Sequence, residues 1–268
     1  MTTSLIQLIN SLTKELTDQG FENVKNEIIW YLDFLKICNK KQIYSDTVPI
    51  NQTIQNALDI FYSKRITGMP FQYILGYGTF YGRDFFINEH VLIPRPETEL
   101  FINKLQGCYF QDVLEVGTGS GILAITLRLE NLAKQVLATD ISPLALDVAN
   151  YNIQRFNVSN ILLKKHDFLN YTFDQKFDLI ISNPPYISLQ EYNQLPHHII
   201  DYEPRIALTD NAKGLLFYYR FANQLPYLLQ PNGMFLCELG SASIASDVKQ
   251  IFLNKGYQFD QSGFNFYT

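Results

Sequence analysis

The residues best suited to chemistry are Asn183-Pro184-Pro185-Tyr186, which directly follow the apolar run Phe177 to Ser182. Neither proline has an N–H, so strand pairing cannot continue there, and both rings stiffen the backbone. The Asn183 side-chain oxygen and the Pro184 carbonyl are thereby aimed in fixed directions. Two fixed acceptors suit a planar nitrogen with two N–H bonds, as in an amide or an aromatic amine. Such a nitrogen is a poor nucleophile because its lone pair is delocalised. Holding both N–H bonds pushes it towards tetrahedral geometry and aims the lone pair at an electrophilic carbon. Tyr186 adds an aromatic face against which a flat group stacks. No strong base is needed, since the alkylated nitrogen becomes acidic and sheds its proton afterwards. Orientation of this kind is worth about 7–11 kcal/mol. Asn183, Pro184 and Tyr186 are therefore the candidate catalytic residues, and with Pro185 they form the candidate substrate seat. No Ser-His-Asp or metal-ligand pattern accompanies them, and His197-His198 reads as a surface pair.

An electrophile needs its own seat, and a second segment offers one. Asp112-Val113-Leu114-Glu115-Val116 runs into Gly117-Thr118-Gly119-Ser120-Gly121. Glycines permit a sharp strand-to-helix turn and let a ligand lie against backbone. The spacing is Gly-x-Gly-x-Gly, whereas a dinucleotide fingerprint would place its third glycine at position 122, which is Ile. That departure favours a cofactor without a pyrophosphate, such as S-adenosylmethionine, over NAD. Asp140 ends the next predicted strand, where an acid accepts from ribose hydroxyls. Its competing role is capping the helix that begins near Pro143, for which Ser142 serves equally. Asp167, after the third strand, can accept from an adenine amino group while Phe168 packs on the purine. A plain turn is the alternative for Asp167. These acids stand at the carboxyl ends of successive strands, where open α/β sheets bind ligands.

The elements that must position these residues follow from periodicity. Leu5, Ile9, Leu12 and Leu16 fall on one helical face, with Gly20 as a stop. Ile28, Leu32 and Leu35 mark a second helix. Ile54, Leu58 and Phe61 mark a third, capped by Asn51 or Thr53, with Gly68 beyond its end. Residues 1–75 thus form a small helical domain that packs or recognises. Gly76, Gly78 and Gly82 punctuate an aromatic run that reads as a β-hairpin linker over 76–95. From Gln111 the pattern is strand, turn, helix, repeated. Strands are predicted at 112–116, 135–139, 161–163, 177–182 and 233–239, with helices at 122–129 and 143–156. Alternation of this kind gives a mostly parallel sheet with helices on both faces, so residues 96–268 form the cofactor-binding domain.

Bulk properties limit the partners. Hydrophobic residues make up 47% of the 268-residue chain and charged ones 18%, enough for a sizeable core. The formal charge of −5 is the wrong sign for a protein that holds nucleic acid through its phosphates. Residues 1–75 hold seven basic and seven acidic side chains, so that net charge lies in the rest of the chain. Cys38, Cys108 and Cys237 show no C-x-x-C spacing, which argues against a disulfide framework or a zinc site. The opening Met-Thr-Thr-Ser-Leu has no basic n-region and no long apolar run follows, so neither a signal peptide nor a membrane span is expected. A reducing cytoplasm is the natural setting.

With these residues in view, the chain resembles the release-factor glutamine methyltransferases over nearly its whole length. Pro70-Phe71-Gln72-Tyr73-Ile74-Leu75-Gly76 is similar to the segment closing that family's N-terminal helical domain. Leu92-Ile93-Pro94-Arg95-Pro96-Glu97-Thr98-Glu99 is similar to its approach to the catalytic domain, and Tyr202-Glu203-Pro204 to its Phe-Glu-Pro. The resemblance implies a Rossmann-like class I methyltransferase with a mostly parallel seven-stranded sheet and an N-terminal substrate-recognition domain. It implies methylation, by S-adenosylmethionine, of the glutamine side-chain nitrogen in the Gly-Gly-Gln motif of class I peptide chain release factors. Gly117 to Gly121, Asp140, Phe168 and Asn183 would then contact the cofactor, and Asn183 to Tyr186 would hold the glutamine. Arg95 is either functional or paired with Glu97 or Glu99. The family's last strand follows a Gly-x-x-Arg pattern, whereas this chain reads Gly263-Phe264-Asn265-Phe266-Tyr267-Thr268, so a shortened last strand is expected.

Three other readings compete. An N6-adenine or exocyclic-amine nucleic-acid methyltransferase uses the same kind of loop on a flipped base, but needs a basic groove that a net −5 does not suggest. A non-catalytic binding module would have little use for an intact loop and an intact glycine turn. A NAD oxidoreductase fits least, given Ile122.

Overall fold

Leu5, Ile9 and Leu16 bury one face of α1 (Leu5–Asp18), whose first turn is closed by a reciprocal Ser4–Gln7 capping box. The computed structural model describes residues 4–240, 242–259 and 266–267. It divides into two compact units, residues 1–76 and 77–268.

In the first unit α2 (Val24–Phe34) buries Ile28 and Leu32 against α1. Leu35 lies just past its end and is 43% exposed, so it does not share the predicted buried face. Two short helices, α3 (Lys40–Tyr44) and α5 (Phe71–Leu75), flank α4 (Gln52–Arg65). Asn51 caps α4 by accepting from the Ile54 N–H. Inside this bundle the Arg65 guanidinium meets the Glu27 carboxylate at 2.8 Å, with both side chains nearly buried.

The second unit opens with the hairpin β1 (Tyr77–Phe80) and β2 (Arg83–Phe86), antiparallel and joined by Tyr81-Gly82. Both turn residues have positive φ, the geometry that suits a two-residue hairpin. A 3-10 turn over Pro96–Thr98 leads into α6 (Glu99–Lys104). Then come β3 (Phe110–Val116), α7 (Ile122–Leu129), β4 (Ala133–Asp140), α8 (Pro143–Phe156), β5 (Ile161–Lys165) and β6 (Phe177–Ser182). Three single-turn helices follow, α9 (Leu189–Tyr192), α10 (His197–Ile200) and α11 (Arg205–Leu208). The chain continues through α12 (Leu216–Leu228), β7 (Leu229–Cys237), α13 (Ala242–Leu253), β8 (Gln258–Phe259) and β9 (Phe266–Tyr267).

The main sheet has the order β5-β4-β3-β6-β7, all parallel, with a separate apolar cluster on each face. This is the expected Rossmann-like layering. Among the described residues, however, five strands rather than seven share this sheet. Strands β8 and β9, two residues each, pair antiparallel with each other instead. Residues 260–265 and 268, which carry most of the predicted shortened strand, lie outside the described residues. The order turns back between β3 and β6, so their carboxyl ends flank the switch point at which such sheets bind ligands.

Candidate active site

Register brings the two halves of the site together. Val116 of β3 pairs with Ser182 of β6, so the glycine turn and Asn183 leave the sheet side by side. On the other flank Val116 pairs with Thr139, which sets Asp140 at the same level. The His166 N–H donates to the Asp140 carbonyl, bringing up Asp167 and Phe168. One cavity at this rim is lined by residues 117–120, Asp140, Asp167, Phe168 and residues 183–185.

Two predicted residues are not in that lining. Gly121 sits beneath it at φ +81, where a Cβ would lie 3.2 Å from the Ile125 side chain and 3.3 Å from that of Ala149, so it serves helix packing. Tyr186 has its ring so close to Gly240 that a Cβ there would fall 2.3 Å from the ring edge. Its hydroxyl donates to Glu238 Oε1 at 3.4 Å. One edge of the ring thus packs against Gly240, and the residue is half-buried.

The residues on the glycine-turn side of the cavity are pinned by carboxylates. Asp140 accepts from the N–H of Gly119 at 2.9 Å and of Ser142 at 2.9 Å. Ser142, not Asp140, caps α8, by accepting from the Ala145 N–H. Burial raises the Asp140 pKa, opposed by the N–H groups of Ser142, Gly119 and Ile141. Glu115 is buried beneath the turn and accepts from Thr118 Oγ1 at 2.7 Å and from the Ala124 N–H at 3.1 Å. Burial pushes it up to about 8 despite those bonds. Asp167 accepts from the backbone N–H of Leu169 and Asn170, so it forms a turn as well as lining the cavity. Phe168 is buried against Phe221, with ring centroids 4.6 Å apart, and walls the cavity from the core side. Arg220 of α12 donates to the carbonyls of Phe168 and Tyr171, fixing that loop. Above Gly117 and Gly119 the space is open: a Cβ on Gly117 would meet nothing nearer than 3.9 Å, and one on Gly119 nothing within 4 Å.

Behind Asn183 lies a network that the sequence reading did not include. Asn183 Nδ2 donates to Thr98 Oγ1 at 3.2 Å, and Thr98 Oγ1 donates to Glu238 Oε2 at 2.7 Å. Burial raises the Glu238 pKa, with the bonds from Thr98, Tyr186 and Asn183 opposing. Burial and the nearby Glu238 carboxylate push the Tyr186 phenol up to about 12, so it stays neutral and donates. Arg95 pairs with neither Glu97 nor Glu99. Its partner is the buried Glu203 at 2.7 Å, while Glu99 accepts from the Tyr81 N–H. Glu203 also accepts from the Ile93 N–H at 3.4 Å, so the segments at Leu92 and Tyr202 are tied to each other.

Residues 96–222 match the model of the methyltransferase small domain. The chain is 35% identical to the release factor glutamine methyltransferase of Bacillus cereus over 245 residues, covering 88% of this chain and 86% of that one. This chain belongs to the release factor glutamine methyltransferase family. The Bacillus subtilis member is 42% identical over 183 residues, covering 65% of this chain and 63% of that one. A bifunctional methyltransferase of Rickettsia typhi is 34% identical over 284 residues, covering 96% of this chain and 54% of that one. The chain therefore spans about half the length of the bifunctional relatives it matches. A Pyrococcus furiosus methyltransferase structure shares the fold, with a TM-score of 0.52 at 20% identity, covering 79% of this chain and 94% of that one.

Within this release factor glutamine methyltransferase family member, the residues missed in the sequence carried one weak signal each. Glu115 stands one residue before the end of β3 and Glu238 directly follows β7, each beside apolar residues, which is where a charge needs a specific partner. Among the described residues no group of His, Cys, Asp and Glu could hold a metal ion. No helix among them is long and apolar enough to cross a membrane.

Proposed function

We propose that this chain transfers a methyl group from S-adenosylmethionine to the side-chain amide nitrogen of the Gly-Gly-Gln glutamine in class I peptide chain release factors. The observation that carries this reading is the Val116–Ser182 register, which sets the glycine turn beside Asn183-Pro184. The activity named for the Bacillus relatives supports the choice of substrate.

The cavity fits the cofactor's chemistry. Asp140 keeps lone pairs for ribose hydroxyls beyond its bonds to Gly119 and Ser142. The open space above Gly117 and Gly119 lets a ligand lie on the backbone. Residues 117–121, Asp140, Asp167 and Phe168 would hold S-adenosylmethionine, with Gly121 acting from beneath. When bound, it supplies a methyl group activated by a sulfonium. Asn183 Oδ1 and the Pro184 carbonyl accept the two N–H bonds of the glutamine amide and turn its lone pair towards the methyl group. Tyr186, as a neutral phenol, props the segment and does not act as a base. The N-terminal unit serves substrate recognition. A cytoplasmic setting follows, since release factors work at the ribosome.

Incubation with labelled S-adenosylmethionine and either purified release factor or DNA tests the reading. Label should enter the release factor and map by mass spectrometry to the Gly-Gly-Gln glutamine. Label in DNA alone would favour the flipped-base alternative and overturn the proposal.

A further inference from the structure

Three hydrogen bonds converge behind the catalytic segment, and one assignment of donors and acceptors satisfies all of them. Thr98 Oγ1 lies 2.7 Å from Glu238 Oε2 and gives it its single hydrogen, and Tyr186 gives its hydroxyl hydrogen to Glu238 Oε1. Both bonds favour the carboxylate against its burial, and a carboxylate only accepts. Thr98 Oγ1 then has only lone pairs left to present to Asn183. The Asn183 atom facing it, 3.2 Å away, must therefore be the NH2 group. That NH2 also faces the Glu238 carboxylate and helps to hold its proton off. Rotated by half a turn, the amide would set its oxygen against a carboxylate and a hydroxyl with no hydrogen to give. Thr98 is 1% exposed, so water does not readily replace it.

We infer that Thr98 and Glu238 are positioning residues: together they lock the Asn183 carboxamide with its oxygen turned to the methyl acceptor, while Glu238 also tethers Tyr186 at the far end of the same four residues. This rests on the reading of the site as an amide methyltransferase. Neither residue receives the methyl group or handles the reacting proton. They act through Asn183, whose carboxamide would otherwise present a donor or an acceptor to the substrate with little preference. The chain brings them from far apart. Thr98 ends the 3-10 turn before α6, and Glu238 follows β7, 140 residues later.

Full-length T98V and T98S separate this role from a merely structural one. Valine keeps the shape and removes the hydroxyl, whereas serine keeps the hydroxyl. T98V should lower kcat on the order of 10–100-fold, the scale of a misoriented catalytic group. Its affinity for S-adenosylhomocysteine should stay close to that of the wild type. T98S should recover most of the lost turnover. Wild-type kcat in T98V, a loss that tracks cofactor affinity, or T98S as impaired as T98V would each overturn the inference.

A second measurement needs no methyl acceptor. With 15N-asparagine labelling, the Asn183 NH2 signals are assigned by their absence in N183A. Their exchange with water should be slow in the wild type and in T98S, and clearly faster in T98V. Equal exchange in wild type and T98V would overturn the inference whatever the substrate. Slow, Thr98-dependent exchange in a protein that fails to methylate release factor would leave the orientation standing and remove the proposed substrate instead.

Discussion

Glu115 holds the glycine turn down, through Thr118 Oγ1 and the Ala124 N–H, from a position 1% exposed. Burial raises it from 4.5 to about 8, with Asp140 adding to the rise. The folded protein therefore holds a proton there that the unfolded chain releases at lower pH. The stability this contributes is full below pH 4.5 and is lost as pH climbs through about 8. Glu115→Gln, which mimics the protonated form, should flatten that fall: between pH 6 and pH 9 its Tm should drop less than the wild type's. Parallel curves in a thermal shift series would show that Glu115 does not titrate in that window. Asn183 makes the sharper catalytic test. Asn183→Ala removes the acceptor oxygen while leaving residues 117–120 and Asp140 in place. Turnover should fall on the order of 100-fold or more, with cofactor affinity by calorimetry within about threefold. Near-normal turnover would show that the amide nitrogen is not held by this side chain.

At the scale of elements, the parts legible in the sequence are those set by local chemistry. The strands and helices around the glycine turn carry full periods, and Pro184-Pro185 ends β6 where two missing N–H groups require it. The helices α3, α5, α9, α10 and α11 went unread because four or five residues hold too little of a helical repeat to show as a pattern. Partners across long sequence separations were equally hidden. Arg95 finds Glu203 rather than its acidic neighbours, and Thr98 finds Glu238, because folding and not proximity in sequence decides such pairs. Asn152 is the clearest case. Fully buried on α8, it accepts from the Phe86 N–H at 2.8 Å and donates to the carbonyls of Phe86 and Ser120, each at 2.9 Å. One side chain thus ties the hairpin to the glycine turn. Asn152→Ala strands these backbone groups and should cost about 2–4 kcal/mol, lowering Tm by roughly 5–10 °C. A shift below about 2 °C in calorimetry would mean that water replaces the amide.

For the whole molecule, the chain divides at Gly76 into two compact units. Every described residue lining the cavity lies between His90 and Phe217, inside the second unit. That unit buries its own apolar clusters on both sheet faces, while the first unit has a core built only from residues 5–75. Cofactor binding therefore should not require the helical unit. Recognition of a folded protein substrate draws on binding energy remote from the reacting atoms, and that energy is realised as rate. A fragment of residues 77–268 should fold, as checked by circular dichroism, and bind S-adenosylhomocysteine within about threefold of the full chain. On a short peptide containing Gly-Gly-Gln, its kcat/KM should match that of the full chain, because such a peptide reaches only the cavity. On intact release factor the fragment's kcat/KM should fall on the order of 10–100-fold. The comparison between the two substrates decides the matter. A fall of equal size on both would mean that the helical unit supports the catalytic fold rather than selecting the substrate, and no fall on either would deny it any part in recognition.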